Sequence, residues 1–401
     1  MVNNGKDSGL DEDLELEFDE IDNEETVVKK TPKKEGASTT EEKTSVVNEA
    51  KLKAFNEALK RLNSSKGLLA SDSGQLIAKL SDKPRNVSTI STGSLVLDSI
   101  LGGGIPVGRL VEIYGAEGSG KTSIALTAIG NVQRAGGTAA FVDLENALDP
   151  KYAKKLGVDV DNLAVAQPDY AEQALELVQQ LTESGVVDII VVDSIAALVP
   201  KLELEGDMDQ GSIGLVARLM SRSLKKLIGA ANRTKTTIIF VNQTRDAIGG
   251  FSPVGTPTTT TGGKAMKFYA SQRIQVNRRQ QIKEGKDIIG NEVKLKVVKN
   301  KIAPPFGEGL TVLTFSRGIN RHAELIQVGP GLGVITMPNN RTYIETETGE
   351  KIGSSKADAI AKLESDPEMF NRISLELKRV LDEGGEIKET EIDVTEEVDE
   401  K

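Results

Sequence analysis

The sequence predicts an α/β fold around a mostly parallel central sheet, flanked by an N-terminal helix-strand arm and a small α+β C-terminal module. Three observations carry this reading. Between residues 85 and 320, short apolar, β-rich runs alternate with helical stretches, the pattern of a sheet covered on both faces. Several of those runs are continuously apolar, as buried parallel strands require. One of them leads into Gly115-Ala116-Glu117-Gly118-Ser119-Gly120-Lys121-Thr122, a glycine-rich turn joining a strand to a helix.

The predicted core strands are Leu110–Tyr114, Thr138–Val142, Leu163–Ala166, Ile189–Val192 and Thr236–Val241. After Gly263 the pattern turns strand-rich, with Gln272–Arg278, Glu292–Val298 and Gly309–Phe315. Residues 321–382 read as the small α+β module, closing on a helix over Pro367–Leu381. Ahead of the core, residues 46–84 form the arm. Leu52, Phe55, Leu59 and Leu62 recur at helical spacing on one face, and a strand-like run follows at Leu76–Leu80. An amphipathic helix needs a surface to pack on: either its own core or a neighbouring subunit.

Both ends are acidic. Residues 1–45 combine low hydrophobicity with charge blocks and read as a disordered extension, either a solvated tail or a partner-docking segment. Residues 383–401 hold nine acids against Lys388 and Lys401 and read as a second disordered tail. Such a tail would compete with any polyanion for the basic groups of the C-terminal module.

Composition excludes several chemistries. Cys is absent, which removes disulfides, thiolate metal sites and Cys nucleophiles, and a lone His rules out a multi-His metal centre. Aromatics are only 3%, so base stacking on aromatic platforms is a poor basis for binding. The net charge of −10 argues against polyanions only until the acidic ends are set aside. No membrane span and no signal peptide is visible, so a soluble cytoplasmic protein is expected.

The glycine-rich turn fits G-x-x-x-x-G-K-[ST] in the strand-then-helix setting that this motif requires. Backbone N–H groups of Gly115 to Gly120 would cradle phosphate oxygens at a helix N-terminus. Lys121 would bring a mobile charge to the outer phosphates, and Thr122 a hydroxyl to Mg²⁺. The cofactor is read as ATP with Mg²⁺. Asp193 closes the apolar run Ile189–Val192 and is the candidate for holding the metal. At the end of Thr138–Val142, Asp143 and Glu145 share a face by strand alternation. Glu145 is the candidate for orienting an attacking water, against the alternative of a solvated loop acid, and Asp143 is the structural candidate.

With these motifs in place, the chain from Val46 to Leu381 resembles the bacterial RecA family of ATP-dependent homologous recombinases. The most specific stretches are Ser91-Thr92-Gly93-Ser94, Ala147-Leu148-Asp149-Pro150, Asp193-Ser194-Ile195-Ala196-Ala197-Leu198, Thr260-Thr261-Gly262-Gly263 and Val297-Val298-Lys299-Asn300-Lys301-Ile302-Ala303. The resemblance implies a RecA-like P-loop ATPase core and a role for each matched position. Glu145 would activate water, and Asp149 and Tyr152 would contact adenine. Gln243 would report the γ-phosphate to the adjoining DNA loop. Residues 205–214 match a first DNA-binding loop and residues 245–264 a second. Ile213 and Ile248 would wedge between bases, Arg218, Lys225 and Arg245 would contact phosphates, and Gly262 and Gly263 would offer backbone N–H groups. Phe268 would anchor a subunit interface. Lys299 and Lys301 would reach a neighbour's γ-phosphate. The implied partners are single-stranded DNA, double-stranded DNA, further copies of the chain in a helical filament, and a LexA-type repressor.

Ala116, Gly118, Asn146, Lys225 and Ile213 depart from the usual family residues, which are Pro, Ser, His, Arg and Met. Two rivals stay open. A RecA-fold helicase or RadA-like ring ATPase uses the same core, but the lysine pair and two loop matches speak against it. A nucleotide-gated DNA-binding scaffold is opposed by intact Lys121, Glu145 and Asp193.

A further expectation concerns the strand Glu292–Val298. Val293, Leu295 and Val297 share one face. If the strand runs on, Lys299 and Lys301 continue that face.

Overall fold

A computed structural model describes residues 49–64, 77, 79, 87–205, 214–246, 258–284 and 286–383. The chain divides into two compact units, Met1–Lys83 and Pro84–Lys401. The acidic extension at 1–45, most of the second tail, and Ile213 and Ile248 lie outside the described residues.

In the first unit, α1 spans Glu49–Asn63. Its apolar stripe is largely exposed, with Phe55 53% and Leu52 45% accessible. The Asn63 amide closes the helix by pairing in both directions with the Ile77 backbone, donating to its carbonyl and accepting from its N–H, each at 2.8 Å. Of the strand expected over Leu76–Leu80, only Ile77 and Lys79 are described, and neither is in a strand.

The second unit opens with β1 (Thr89–Ile90), α2 (Leu95–Leu101) and β2 (Ile105–Pro106). Ser94 caps α2 by accepting from Leu97 N–H, and Gly102 ends it in the left-handed region at φ 77°. Then follow β3 (Leu110–Gly115), α3 (Lys121–Arg134), β4 (Ala139–Asp143), α4 (Pro150–Lys155), β5 (Leu163–Ala166), α5 (Ala171–Ser184) and β6 (Ile189–Asp193). Next come α6 (Lys201–Glu205), α7 (Leu215–Thr234), β7 (Thr237–Asp246), β8 (Thr258–Thr260), α8 (Ala265–Tyr269), β9 (Gln272–Glu284), β10 (Asp287–Asn300), β11 (Glu308–Thr314) and β12 (Gly318–Ile319). The chain continues through α9 (Arg321–Val328), β13 (Ile335–Thr336), β14 (Tyr343–Glu345), β15 (Lys351–Gly353), α10 (Lys356–Ser365) and α11 (Pro367–Asp382).

The main sheet runs β12-β11-β10-β9-β3-β7-β6-β4-β5. The six strands from β9 to β5 are parallel, and β10, β11 and β12 extend the sheet in antiparallel fashion. Alternation divides each strand between two cores. Val111, Ile113, Phe141, Val191 and Ile239 pack beneath α3, while Leu110, Val142, Ile190, Val192 and Phe240 pack beneath α5 and α7. The expected α/β fold with a mostly parallel sheet is therefore the observed one.

The C-terminal elements are packed continuously with this core. Val96 of α2 belongs to the same apolar cluster as Leu325, Ile335, Phe370 and Ile373. At its centre the fully buried Glu324 accepts from Ser94 Oγ at 2.5 Å, from Leu95 N–H at 2.8 Å and from Thr311 Oγ1. Burial outweighs these three donors and pushes its carboxyl up to about 7.

Because the folded-state pKa lies above the unfolded one, stability is greatest while both states hold the proton. It is lost as pH rises from the unfolded value through about 7. Glu324→Gln, which stays uncharged, is expected to fold and to flatten this slope. Melting curves at pH 5 to 8 should show wild type losing stability relative to the variant, by roughly 3 kcal/mol at most. Parallel pH profiles would mean that Glu324 does not titrate in this range.

Candidate functional site

Parallel pairing brings the carboxyl ends of β3, β7, β6 and β4 to one edge, and the predicted nucleotide-site residues collect there. The turn after β3 leaves little freedom for side chains. A Cβ on Gly115 would sit 2.1 Å from the Val276 carbonyl oxygen of the neighbouring strand. Gly120 holds φ 95° at the start of α3, and a Cβ there would press on Leu313. Gly118 is left-handed at φ 66° but faces open space. Ser119 Oγ is buried with no hydrogen-bond partner among the described residues.

Lys121 is buried, and its ammonium donates to the Ala116 carbonyl at 2.7 Å. Burial lowers its pKa, while Asp193, Glu145 and Glu117 pull it back up. Thr122 Oγ1 donates to Asp193 Oδ2 at 2.5 Å. Asp193 is pushed up to about 6, mainly by burial, with Glu145 and Asp143 adding like charge against the Thr122 bond and Lys121.

A hydroxyl beside a carboxylate is a hard-oxygen donor pair of the kind that Mg²⁺ takes, and a cation would relieve the buried negative charge. No group of three or more His, Cys, Asp or Glu suited to a metal occurs among the described residues. The pair therefore fits a cation that brings phosphate oxygens as its other ligands. A cleft of about 200 Å³ adjoins it, lined by Gly118, Thr122, Tyr152, Asn291, Leu313 and Phe315 among others. Asp149 caps α4 by accepting from Lys151 N–H at 2.8 Å, and α4 carries Tyr152, whose hydroxyl meets Ser123 Oγ at 2.8 Å. Asn291 Oδ1 is buried without a partner among the described residues. Asn291 and Phe315 were not anticipated, because β10 and the end of β11 reach the cleft only through the sheet.

Glu145 stands apart from Asp143, contrary to the shared face that alternation suggested. The strand ends at Asp143, so period two no longer applies beyond it. Asp143 is buried and accepts from the Ala147 and Leu148 N–H groups at 3.3 and 3.2 Å, which shapes the turn. Glu145 is exposed, and its Oε1 accepts from Ser194 Oγ at 2.5 Å and from Gln243 Nε2 at 3.0 Å. Ser194, next to Asp193, is thus a third unanticipated residue of the site.

The far side of the edge holds the expected DNA-contacting positions. Arg218, Arg222 and Lys225 are exposed on α7 at spacings of four and three, hence on one face. Arg222 was missed, although that spacing alone would have found it. Gly262 and Gly263 are left-handed at φ 84° and 72°, close against Ile195 and Ala217 respectively. The Arg245 backbone lies in β7, paired with Thr259 of β8.

The two lysines depart from expectation. A bulge between Val297 and Lys299 changes the pairing from Ile274 to Arg273, so Lys299 joins the Arg273 face and leaves the face of Val293, Leu295 and Val297. The strand ends at Asn300, and Lys301 is exposed beyond it. Lys299 Nζ donates to the Lys267 and Phe268 carbonyls at 2.7 and 2.9 Å, away from the phosphate loop. Burial lowers its pKa, and Lys301 and Arg273 add like charge.

A family model described as the RecA N-terminal domain matches residues 53–320. The chain belongs to the RecA family. It is 46% identical to Protein RecA of Macrococcus caseolyticus over 339 residues, which cover 84% of this chain and 93% of that protein. Its identity to Protein RecA of Mycobacterium avium is 50% over 307 residues, covering 76% and 86% respectively. With Protein RecA of Staphylococcus aureus the identity is 46% over 342 residues, covering 84% and 95%. The RecA family match includes every residue assembled at the sheet edge, from Gly115 to Phe315.

The glycines of the loop are not equivalent. Gly115→Ala must push β3 off β9 and is expected to destabilise the protein by about 2–3 kcal/mol. Gly118→Ala meets only the left-handed backbone penalty of about 1 kcal/mol. Urea denaturation of the two variants measures the difference, and equal losses would contradict the close approach to Val276.

Proposed function

We propose that this chain is an ATP-dependent DNA recombinase that forms filaments on single-stranded DNA, pairs it with homologous duplex and promotes strand exchange. One observation carries the reading: two adjacent residues of one strand serve both sites. Gln243 of β7 donates to Glu145 at the nucleotide side, and its neighbour Asn242 donates to the Thr261 carbonyl in the segment matching the second DNA loop. Nucleotide state and loop conformation thereby share one support.

ATP with Mg²⁺ would be held by the backbone of Gly115 to Gly120, by Lys121 and Thr122, and by Asp193. When bound, Mg²⁺ neutralises phosphate charge and orients the γ-phosphoryl group. Tyr152 and Phe315 offer flat surfaces to the base, with Asp149 nearby. Glu145 orients and polarises water, held in place by Ser194 and Gln243. Arg218, Lys225 and Arg245 would contact DNA phosphates, Gly262 and Gly263 would donate backbone N–H groups, and Ile213 and Ile248 would separate bases. With sequence-independent contacts of this kind, sequence is read by base pairing between strands.

Filament assembly is supported by Phe268, an apolar residue of α8 that is 69% exposed and whose own carbonyl is one of the two that hold Lys299. Lys299 and Lys301 would act on the nucleotide of a neighbouring subunit, consistent with their lying apart from their own phosphate loop. The helix-strand arm would dock on that neighbour, residues 321–382 would bind duplex, and the filament would engage a LexA-type repressor in the SOS response. Negative-stain images with single-stranded DNA separate this reading from a ring ATPase. A DNA-stimulated ATPase assay separates it from a scaffold.

Glu145→Gln is expected to bind ATP and stop hydrolysis. Lys299→Ala with Lys301→Ala is expected to bind ATP and lose DNA-stimulated hydrolysis. Mixing the two variants pairs intact Glu145 with intact lysines at some interfaces, so partial turnover should return. No recovery in demonstrably mixed filaments would mean that the lysines do not act across the interface.

A further inference from the structure

We infer that Asn242, anchored by the buried Glu112–Arg273 pair, is the positioning residue through which the second loop controls Glu145. This rests on the proposed DNA-stimulated hydrolysis. Asn242 is wholly buried within β7. Its Nδ2 has two protons, and both are used, on Glu112 Oε1 at 2.8 Å and on the Thr261 carbonyl at 3.0 Å. Its Oδ1 accepts from the Gln243 N–H at 2.9 Å. Turning the amide over would set its protons against an N–H and its oxygen against two acceptors, so only one orientation works. Asn242 therefore fixes the peptide that carries Gln243 and the point where the loop re-enters the fold.

Beneath it, Glu112 Oε2 accepts from Arg273 Nε at 2.5 Å, and the guanidinium lies 4.6 Å from the Tyr114 ring centre. Glu112 faces Arg273 across the β3–β9 ladder, and Tyr114 faces Asn242 across β3–β7. Such a pair adds little stability over apolar residues of the same volume. What it supplies here is a rigid, directional acceptor that Asn242 cannot leave without stranding a buried carboxylate oxygen. On the loop side, the Thr260 and Thr261 hydroxyls are buried with no partner among the described residues. Two residues further on, Gly263 leads towards α8, whose last carbonyls bind Lys299. A ligand that moves Thr261 must therefore move Asn242, and with it the Gln243 amide that holds Glu145.

The test replaces Asn242 with Leu, which is of similar volume and donates nothing. Basal ATP hydrolysis, its KM and its stimulation by single-stranded DNA are measured on the full chain, with melting curves as a fold control. We expect the stimulation factor to fall about tenfold, while KM, which reads ATP binding, changes by no more than about twofold. The reciprocal effect must also appear. The preference of single-stranded DNA for the form bound to a non-hydrolysable ATP analogue, over the ADP form, should shrink by a similar factor. Full stimulation in folded Asn242→Leu would overturn the inference. If that variant does not fold, Glu112→Gln with Arg273→Gln removes the anchoring charges without isolating either one. The same loss is expected there, and retention would again overturn the inference. Wild type that DNA does not stimulate would overturn the functional reading itself, and this inference with it.

Discussion

Parallel strand pairing is the constraint on which the rest of this protein depends. A parallel ladder forces neighbouring strands to end on the same side, so residues far apart in sequence are delivered to one edge without any loop having to reach for them. Gly115 at the end of β3, Gln243 on β7, Asp193 on β6 and Asp143 on β4 sit there because their strands are neighbours in register. The cores on the two faces hold that register, since a slip by one residue would turn Phe141 and Phe240 to the wrong sides. The close approach of Gly115 to Val276 is a consequence of the same ladder.

The edge concentrates charge that water would otherwise stabilise. Glu145 lies close enough to shift both Lys121 and Asp193, these two shift each other, and burial works against both of them in their charged forms. Fixed dipoles offset part of this cost: the amino end of α3, the Thr122 hydroxyl and the Ser194 hydroxyl. A site in this condition favours a ligand that carries both phosphate and cation. A second polar island, Glu112 with Arg273 and Asn242, lies on the opposite face of β3 from the α3 core. None of its side-chain polar atoms is buried without a partner, as a network that is to specify one arrangement requires.

Where sequence reasoning succeeded, the signal was local. The phosphate loop is a contiguous run whose residue types, spacing and flanking strand and helix all mean the same thing. Asp193 was visible as the acid closing a buried apolar strand. The failures have a common physical form. Alternation was carried past the end of β4 to Glu145 and past a bulge to Lys299, although period two holds only while the ladder does. Glu112 in the middle of an apolar strand was a legible warning that a buried charge needs a partner. Nothing in the sequence named Arg273 as that partner.

By itself, the sequence determined the fold class, the phosphate loop with its lysine and hydroxyl, and family membership, because each is written in short-range pattern or in the order of matched segments. Tertiary structure alone decided which residues meet. It set Ser194 and Gln243 on Glu145, brought Asn291 and Phe315 to the cleft, and turned Lys299 onto the Arg273 face. The reason is geometric. Contacts across a sheet depend on strand order and register, which are settled by the packing of whole elements and are not encoded in the spacing of any one of them.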